Sequence, residues 1–228
     1  MIISPLIWSK QHTVVLEPHL LTVPGLALAA ASRALADMTR RSWTVASASL
    51  NTLVGRASVD EQSVDRAEKE IDDMQLKIRD YLVDISRCKL TEREAAALPE
   101  LLHCINDAER ISDLALKVYR KTSRVQSSRL SADAIDGIGK IAAKVRSFAN
   151  LTVDTLKSTH VDVKSVDDAE REIHELAKST TRLFTLRMKD AGDGSQNDIA
   201  VLSVISALRD IARHLGNIAV RVPAIERG

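Results

Sequence analysis

Two pairs of acidic residues have the spacing that brings carboxylates together on a helix. Glu68 and Asp72 are four residues apart, and so are Glu109 and Asp113. Side chains four residues apart lie on the same face of an α-helix, one turn from each other. If the two helices are neighbours, the four carboxylates can converge, and their repulsion raises their pKa values unless a cation neutralises them. Oxygen ligands of this kind suit Mg, Mn or Fe.

The same spacing is also typical of an ordinary solvated helix face. Arg66, Lys69 and Arg110 lie close enough in the sequence to pair with these acids. Exposed ion pairs of that kind contribute only about 0–1 kcal/mol to stability. The spacing alone therefore leaves two interpretations open, a cation site or a charged surface without a ligand.

The composition favours helices that pack through aliphatic side chains. Of the 228 residues, 45% are hydrophobic but only 3% are aromatic, which disfavours a strand-rich fold. The formal net charge of +1 gives no reason to expect attraction to nucleic acid or anionic lipid. No stretch approaches the roughly 20 apolar residues of a membrane helix, and the first residues lack the basic leader of a secretory signal. We expect an all-α protein in a reducing compartment, with Cys88 and Cys104 as small core or boundary residues.

Apolar periodicity and capping signals predict six long helices with short links, typical of antiparallel neighbours in bundles. Thr91 and Glu94 form a capping box that starts the third helix, and Ser131 can cap the fourth. Residues 1–23 are expected to be an irregular leader, in which Trp8 could anchor a protein contact. The polar runs KTSRVQSSR and AGDGSQND are expected to separate helices. The predicted helices run from Pro24 to about Val54, Val59 to Cys88, Thr91 to Tyr119, Ser131 to Thr159, Val163 to Lys189, and from the AGDGSQND loop to Val220.

An internal repeat divides the chain into two units. The segment VDEQSVDRAEKEI, residues 59–71, matches VDVKSVDDAEREI, residues 161–173, at nine of thirteen positions with a constant displacement of 102 residues. Such self-similarity indicates duplication of a structural unit. We therefore predict a leader over residues 1–23, a three-helix repeat over 24–125 and a second over 126–228.

The second repeat keeps only part of the acidic pattern. Glu170 stands where the first repeat has Glu68, but His174 replaces Asp72. Aligning ISDLA with LGNIA places Arg213 and Asn217 at the positions of Glu109 and Asp113. A metal cluster in the second repeat is therefore expected to be weaker than in the first, or absent.

The segment DAERISDLALKV resembles the signature of PhoU-domain proteins, in which an E-R-x-x-D segment closes each three-helix unit. AEKEID, residues 67–72, is similar to the acidic segment on that family's preceding helix. The resemblance implies two tandem three-helix bundles and a cytoplasmic regulator of phosphate transport. It also implies metal ions of the Fe, Mn, Mg or Zn type on Glu68, Asp72, Glu109 and Asp113, with Glu170 and His174 as weaker candidates.

The segment LEPHLLTVPGLALAAASRALADM, residues 16–38, which we call the entry segment, resembles one branch of this family. It is similar to the junction before the cytoplasmic PhoU-like region of bacterial sodium/phosphate cotransporters, and Asp210, Arg213 and His214 in the second signature also resemble that branch. The resemblance implies binding to a membrane component of a phosphate transporter or to a phosphate-sensing signalling protein. Such a module would lie at the inner face of the membrane through its partner. The chain would be a separate protein or a fragment of a transporter. Formation of a homodimer is a further expectation that the sequence leaves open.

Two other functions stay open beside this non-enzymatic docking role. Glu100 and His103 have the Glu-x-x-His spacing of carboxylate-bridged metal oxidases, but the chain contains no second copy of that motif. A structural helical adaptor without metal is the third interpretation. In that case, replacing Glu109 and Asp113 by Ala would leave stability unchanged or improve it.

Overall fold

The computed structural model describes residues 15–53, 59–122, 130–157, 162–191 and 196–226, the side chains of 190, 191, 196, 197 and 222–226 excepted. A 3-10 helix, Pro18–Thr22, precedes six α-helices, and no strand occurs in these ranges. The predicted all-α class is therefore confirmed. The helices are α1 (Pro24–Leu53), α2 (Glu61–Ser86), α3 (Glu92–Thr122), α4 (Ala132–Thr155), α5 (Val163–Ala191) and α6 (Gln196–Glu226).

Local capping chemistry explains where several helices begin. The Thr91 hydroxyl accepts from the Glu94 backbone N–H at 3.2 Å, and the Glu94 carboxylate accepts from the Thr91 N–H at 2.8 Å. This reciprocal pair confirms the predicted capping box, which satisfies two N–H groups that a helix start leaves open. Ser131 caps α4 by accepting from the Ala134 N–H at 3.2 Å, as predicted.

Some predicted boundaries were wrong. The leader is not irregular throughout, because Pro18–Thr22 closes a 3-10 turn. Helix α4 ends at Thr155 rather than near 159, whereas α6 continues six residues beyond Val220. The predicted position of Trp8, the break at KTSRVQSSR and the centre of the AGDGSQND loop lie outside the described residues.

The three helices of each repeat pack on one another, and the two repeats meet through α1 with α4 and α3 with α6. Gly25 lies beside Glu94, and the Ser42 hydroxyl is 3.5 Å from the Ala108 carbonyl oxygen, so α1 and α3 run parallel. Connecting them through α2 gives an up-down-up bundle. No described helix is apolar over a length sufficient to span a bilayer.

Helices α3 and α6 run antiparallel across the boundary between the repeats. Arg221 donates to Glu100 at 2.8 Å near one end of the contact, and His214 lies 2.6 Å from Asp107 further along it. Buried aliphatic side chains fill the space between these polar contacts, and they form one continuous core with the other helices. Burial of such surface is the main stabilising contribution, at about 25 cal/mol per Å².

The repeat is visible in the structure as a repeated cap. In the first turn of α2, the Ser63 hydroxyl donates to the carboxylate of Asp60, the residue before the helix, at 2.6 Å; in the first turn of α5, Ser165 donates in the same way to Asp162 at 2.5 Å. These hydrogen bonds from serine lower the pKa of both aspartates. The same serine-aspartate pairing therefore fixes the start of the second helix in both repeats.

Candidate functional site

Three of the four predicted acidic residues come together between α2 and α3. Asp72 on α2 faces Glu109 and Asp113 on α3 closely enough for their charges to interact. Ala108 and Ile111 of α3 are buried in the core, and Glu109 and Asp113 lie on a neighbouring face of the same helix. We call Asp72, Glu109 and Asp113 the acidic cluster.

Electrostatics within the acidic cluster oppose full ionisation. Burial raises the pKa of Asp72, and the charge of Asp113 raises it further. Burial also raises the pKa of Glu109, with a second contribution from Asp113 that outweighs the lowering effect of Arg110. Like charges held close cost free energy when all are ionised. A proton, a cation or a basic partner surface would relieve that cost.

The solvated-face interpretation receives support from the same residues. The Arg110 guanidinium lies 3.8 Å from the Glu109 carboxylate and 3.9 Å from that of Asp113. The Glu109 side chain is 31% exposed and that of Asp113 is 56% exposed, so water screens both contacts. Glu68, the fourth predicted acid, is half-buried on α2.

The acidic cluster has the kind of ligand atoms that bind a metal ion, but these atoms are not positioned to hold one. Carboxylate oxygens suit Mg, Mn or Fe, and the raised pKa values are those that a cation would relieve. Among the residues that the structure describes, however, no group of three or more His, Cys, Asp or Glu side chains is placed to hold one metal ion. As these side chains lie, they do not fit a metal, and the metal site stays a prediction.

The corresponding position of the second repeat is a cavity between α5 and α6. Its volume is about 300 Å³. Helix α5 contributes an acid and a histidine to the wall, and α6 contributes two arginines, an acid and a small apolar residue. The lining residues are Glu170, His174, Arg209, Asp210, Ala212 and Arg213. We call this space the α5–α6 cavity.

A glycine makes room for the carboxylate at the wall of the α5–α6 cavity. A Cβ at position 216 would overlap the Glu170 carboxylate and would lie 3.7 Å from the ring of Phe148. Because Gly216 has no side chain, Glu170 can lie against the α6 backbone. Burial raises the pKa of Glu170 there, while the nearby Arg213 acts in the opposite direction.

A partly buried polar network links this cavity to the first repeat. Arg213 lies 3.0 Å from His214 Nε2, and His214 Nδ1 lies 2.6 Å from the Asp107 carboxylate on α3. Arginine can only donate, so Nε2 accepts and Nδ1 carries the proton that is donated to Asp107. Asn217 donates to the same Asp107 oxygen at 3.0 Å. We call Asp107, His214 and Asn217 the inter-repeat network.

Asp107 is held ionised by this network. Burial alone raises its pKa, but hydrogen bonds from His214 and Asn217, together with the charge of Arg221, lower it below the usual value. The ionised carboxylate then accepts two hydrogen bonds from the other repeat, and bonds to a charged group are stronger than neutral ones. Nearby, burial raises the pKa of the Cys104 thiol to about 12, which keeps it protonated.

The Glu-x-x-His residues do not converge on a common site. Glu100 accepts a hydrogen bond from Arg221 of α6 at 2.8 Å, whereas His103 is exposed. The carboxylate of the motif thus has a structural partner in the second repeat. This arrangement gives no observation in favour of the metal-oxidase interpretation.

Sequence reasoning missed two buried charged contacts. It did not identify Asp107, whose partners are more than 100 residues away in the sequence. It also did not identify the ion pair on α1 between Asp37 and Arg41, which are both buried, with Arg41 reaching Glu70 on α2 at 3.1 Å. A possible signal for the second was an oppositely charged i, i+4 pair inside an alanine-rich apolar helix.

Comparisons with known proteins agree with this architecture. Residues 35–122 match the model of the PhoU domain, a range that includes most of α1 and all of α2 and α3. The fold is similar to the crystal structure of PhoU from Pseudomonas aeruginosa, with a TM-score of 0.76 and 20% sequence identity. That similarity covers 86% of this chain and 94% of the other. A search of curated proteins finds no match.

Proposed function

We propose that this chain is a regulatory module of phosphate transport that acts by docking on another protein. The observation that carries the proposal is the PhoU-domain match over residues 35–122, which includes the acidic cluster. The similarity to a PhoU structure over both repeats supports the architecture that such a module needs. The partner would be the membrane component of a phosphate transporter or a phosphate-sensing signalling protein, contacted from the cytoplasmic side.

The acidic cluster is the docking surface that we propose. Three carboxylates lie together on partly exposed faces of α2 and α3, and Arg110 pairs with Glu109 and Asp113 at 3.8 and 3.9 Å. A basic surface on the partner would relieve their mutual repulsion and would be steered towards them by charge. Such recognition should weaken at high ionic strength, since exposed charges are screened.

A more specific proposal concerns the class of transporter that this chain binds. The entry segment that ends in α1 is similar to the junction of bacterial sodium/phosphate cotransporters, so a transporter of that class is the first partner to test. Tyr81 donates to the Glu17 carbonyl oxygen at 2.9 Å, which fastens this entry segment to α2. If a membrane protein binds this entry segment, a change in the position of that segment would be transmitted through this hydrogen bond to the first repeat.

Affinity purification from cells grown at low and high phosphate tests the docking proposal. The wild-type chain should capture a phosphate transporter or phosphate sensor, and the double variant Glu109→Gln, Asp113→Asn should capture much less. The matched control is Asp136→Asn, Glu172→Gln, which removes the same charge from exposed acids of the second repeat. Capture of neither protein class at any phosphate level contradicts the proposal.

The metal prediction has its own test. Purified chain is analysed for Fe, Mn, Mg and Zn, and then titrated with Mn²⁺ with and without Glu109→Gln, Asp113→Asn. Stoichiometric binding that the double variant abolishes would establish a metal site on the first repeat. An absence of saturable binding would leave the acidic cluster as a docking surface without metal.

A further inference from the structure

We propose that the α5–α6 cavity binds a phosphoryl group, with Arg209, Arg213 and His174 as donors. The identification of phosphate as the anion rests on the proposed function in phosphate transport, whereas the capacity for an anion rests on the cavity itself. The first repeat has Asp72 and Glu109 where the second has His174 and Arg213. The exchange replaces acids by groups that attract an anion.

Two guanidinium groups line one wall of this cavity. Arg209 and Arg213 are one helical turn apart on α6, so their side chains leave the helix on the same face. Planar guanidinium groups donate two parallel hydrogen bonds to phosphate oxygens, and such charge-assisted bonds are about twice as strong as neutral ones. His174 on α5 is exposed and lines the opposite wall, where it can donate a further bond.

The two acids in the wall give the cavity a means of selecting phosphate over sulfate. Near neutral pH a phosphate group can carry an O–H that donates to a carboxylate, whereas sulfate offers only acceptors. Glu170 and Asp210 can accept that bond, and Asp210 already lies 3.5 Å from Arg209. A fully deprotonated anion would instead meet two carboxylates and be repelled.

The size and shape of the cavity fit this ligand class. About 300 Å³ admits inorganic phosphate with accompanying water, or the phosphate end of a small ester. Gly216 keeps the Glu170 carboxylate back against α6, since any side chain there would overlap it. The space is therefore open because one position lacks a Cβ.

Arg213 also gives a bound anion a route to the first repeat. The same guanidinium that lines the cavity donates to His214, which in turn donates to Asp107 on α3. An anion that draws Arg213 towards the cavity removes the donor to His214 Nε2. Binding of the anion would thereby alter the contact between α3 and α6. Because α3 also carries Glu109 and Asp113, the change would be transmitted along this helix to the acidic cluster.

Isothermal titration of the full chain with inorganic phosphate, phenyl phosphate and sulfate tests the inference. Saturable binding of either phosphate compound is expected, with sulfate at least about tenfold weaker. Arg213→Gln and Arg209→Gln should each weaken binding about tenfold or more, because each removes a charge-assisted bond. Arg209→Gln leaves the link from Arg213 to His214 intact, and circular dichroism checks the fold of every variant.

The matched control is Arg171→Gln, an exposed arginine on α5 that pairs with Asp168 outside the cavity. Its affinity for phosphate should equal that of the wild type. Absence of saturable binding, equal affinity for sulfate, or equal losses in Arg171→Gln and Arg209→Gln would each overturn the inference. Preference for phenyl phosphate over inorganic phosphate would assign the site to an ester. The docking proposal is judged separately, by partner capture, and survives a negative titration.

Discussion

The acidic cluster and the α5–α6 cavity occupy matching positions in the two repeats, yet their chemistry is opposite. Burial and the charges of Asp113 and Asp72 raise the pKa of Glu109 in the first repeat; His174 and Arg213 stand at the positions of Asp72 and Glu109 in the second. The serine-aspartate caps that start α2 and α5 are the same in both repeats. The two repeats therefore share the residues that start α2 and α5, but they differ in the charged residues on which the proposed docking surface and the proposed phosphate site depend.

The first repeat contains both a carboxylate whose ionisation stabilises the fold and carboxylates whose ionisation destabilises it. Asp107 is half-buried, accepts bonds from His214 and Asn217, and has a lowered pKa. Asp72 and Glu109 are more open to water and have raised pKa values, so their ionisation costs stability. Residues that differ by only two positions on α3, Asp107 and Glu109, thus act in opposite directions.

The largest expected effect comes from Asp107→Ala. This change leaves His214 and Asn217 without their acceptor at the contact between the repeats, and we expect a loss of about 1–3 kcal/mol of unfolding free energy. Urea unfolding followed by circular dichroism measures it. The comparison variant Asp113→Ala should be neutral or slightly stabilising, and an equal loss in both variants would refute the distinction.

The next effect tests the glycine that opens the α5–α6 cavity. The matching position of the first repeat is Ser112, so Gly216→Ser gives the second repeat the side chain of the first. Its Cβ should push Glu170 away and cancel the gain of about 0.5–1 kcal/mol that replacing a helical glycine usually brings. Gly139→Ser on α4 is the control, because a Cβ there meets nothing within 4 Å and the gain from replacing glycine is expected to remain. Equal thermal stabilisation of the two variants would show that position 216 is not restricted.

A smaller effect concerns pH. The pKa of Glu109 is higher in the folded chain than in the unfolded chain, so protonation of Glu109 stabilises the fold. This contribution is fully present at pH values below the pKa of the unfolded state, and it is lost as pH rises through the pKa of the folded state. Glu109→Gln should therefore raise stability at neutral pH by at most about 1 kcal/mol, and the advantage should vanish on acidification. Asp107 has the reverse sign, because its lowered pKa gives stability that is lost as pH falls through the folded value. Unfolding of Glu109→Gln and Asp107→Asn from pH 3 to pH 8 would show these opposite slopes, and parallel slopes would count against the account.

Much of the fold could be predicted from the sequence because its determinants are local. The Thr91–Glu94 capping box and the Ser131 cap act within three residues, and they set helix starts wherever the helices then pack. The periodic apolar residues likewise fixed which face of α3 would be buried. Boundaries such as the end of α4 were less predictable, since no residue near Thr155 stops a helix as sharply as glycine or proline would.

The candidate site could be predicted only in part. Spacing on one helix placed Glu109 beside Asp113, but the approach of Asp72 on α2 to these two acids depends on how α2 packs against α3. Asp107 and His214 meet because of how the two repeats dock, and no local pattern contains that information. Pairing between helices more than 100 residues apart requires the tertiary structure.

The most direct test of the central proposal is phosphate uptake by cells that lack this chain, measured with radiolabelled phosphate at low and high external concentration. A docking regulator predicts that uptake no longer adjusts to external phosphate, and that the wild-type chain restores the adjustment but Glu109→Gln, Asp113→Asn does not. Uptake that adjusts identically with and without the chain would contradict the account.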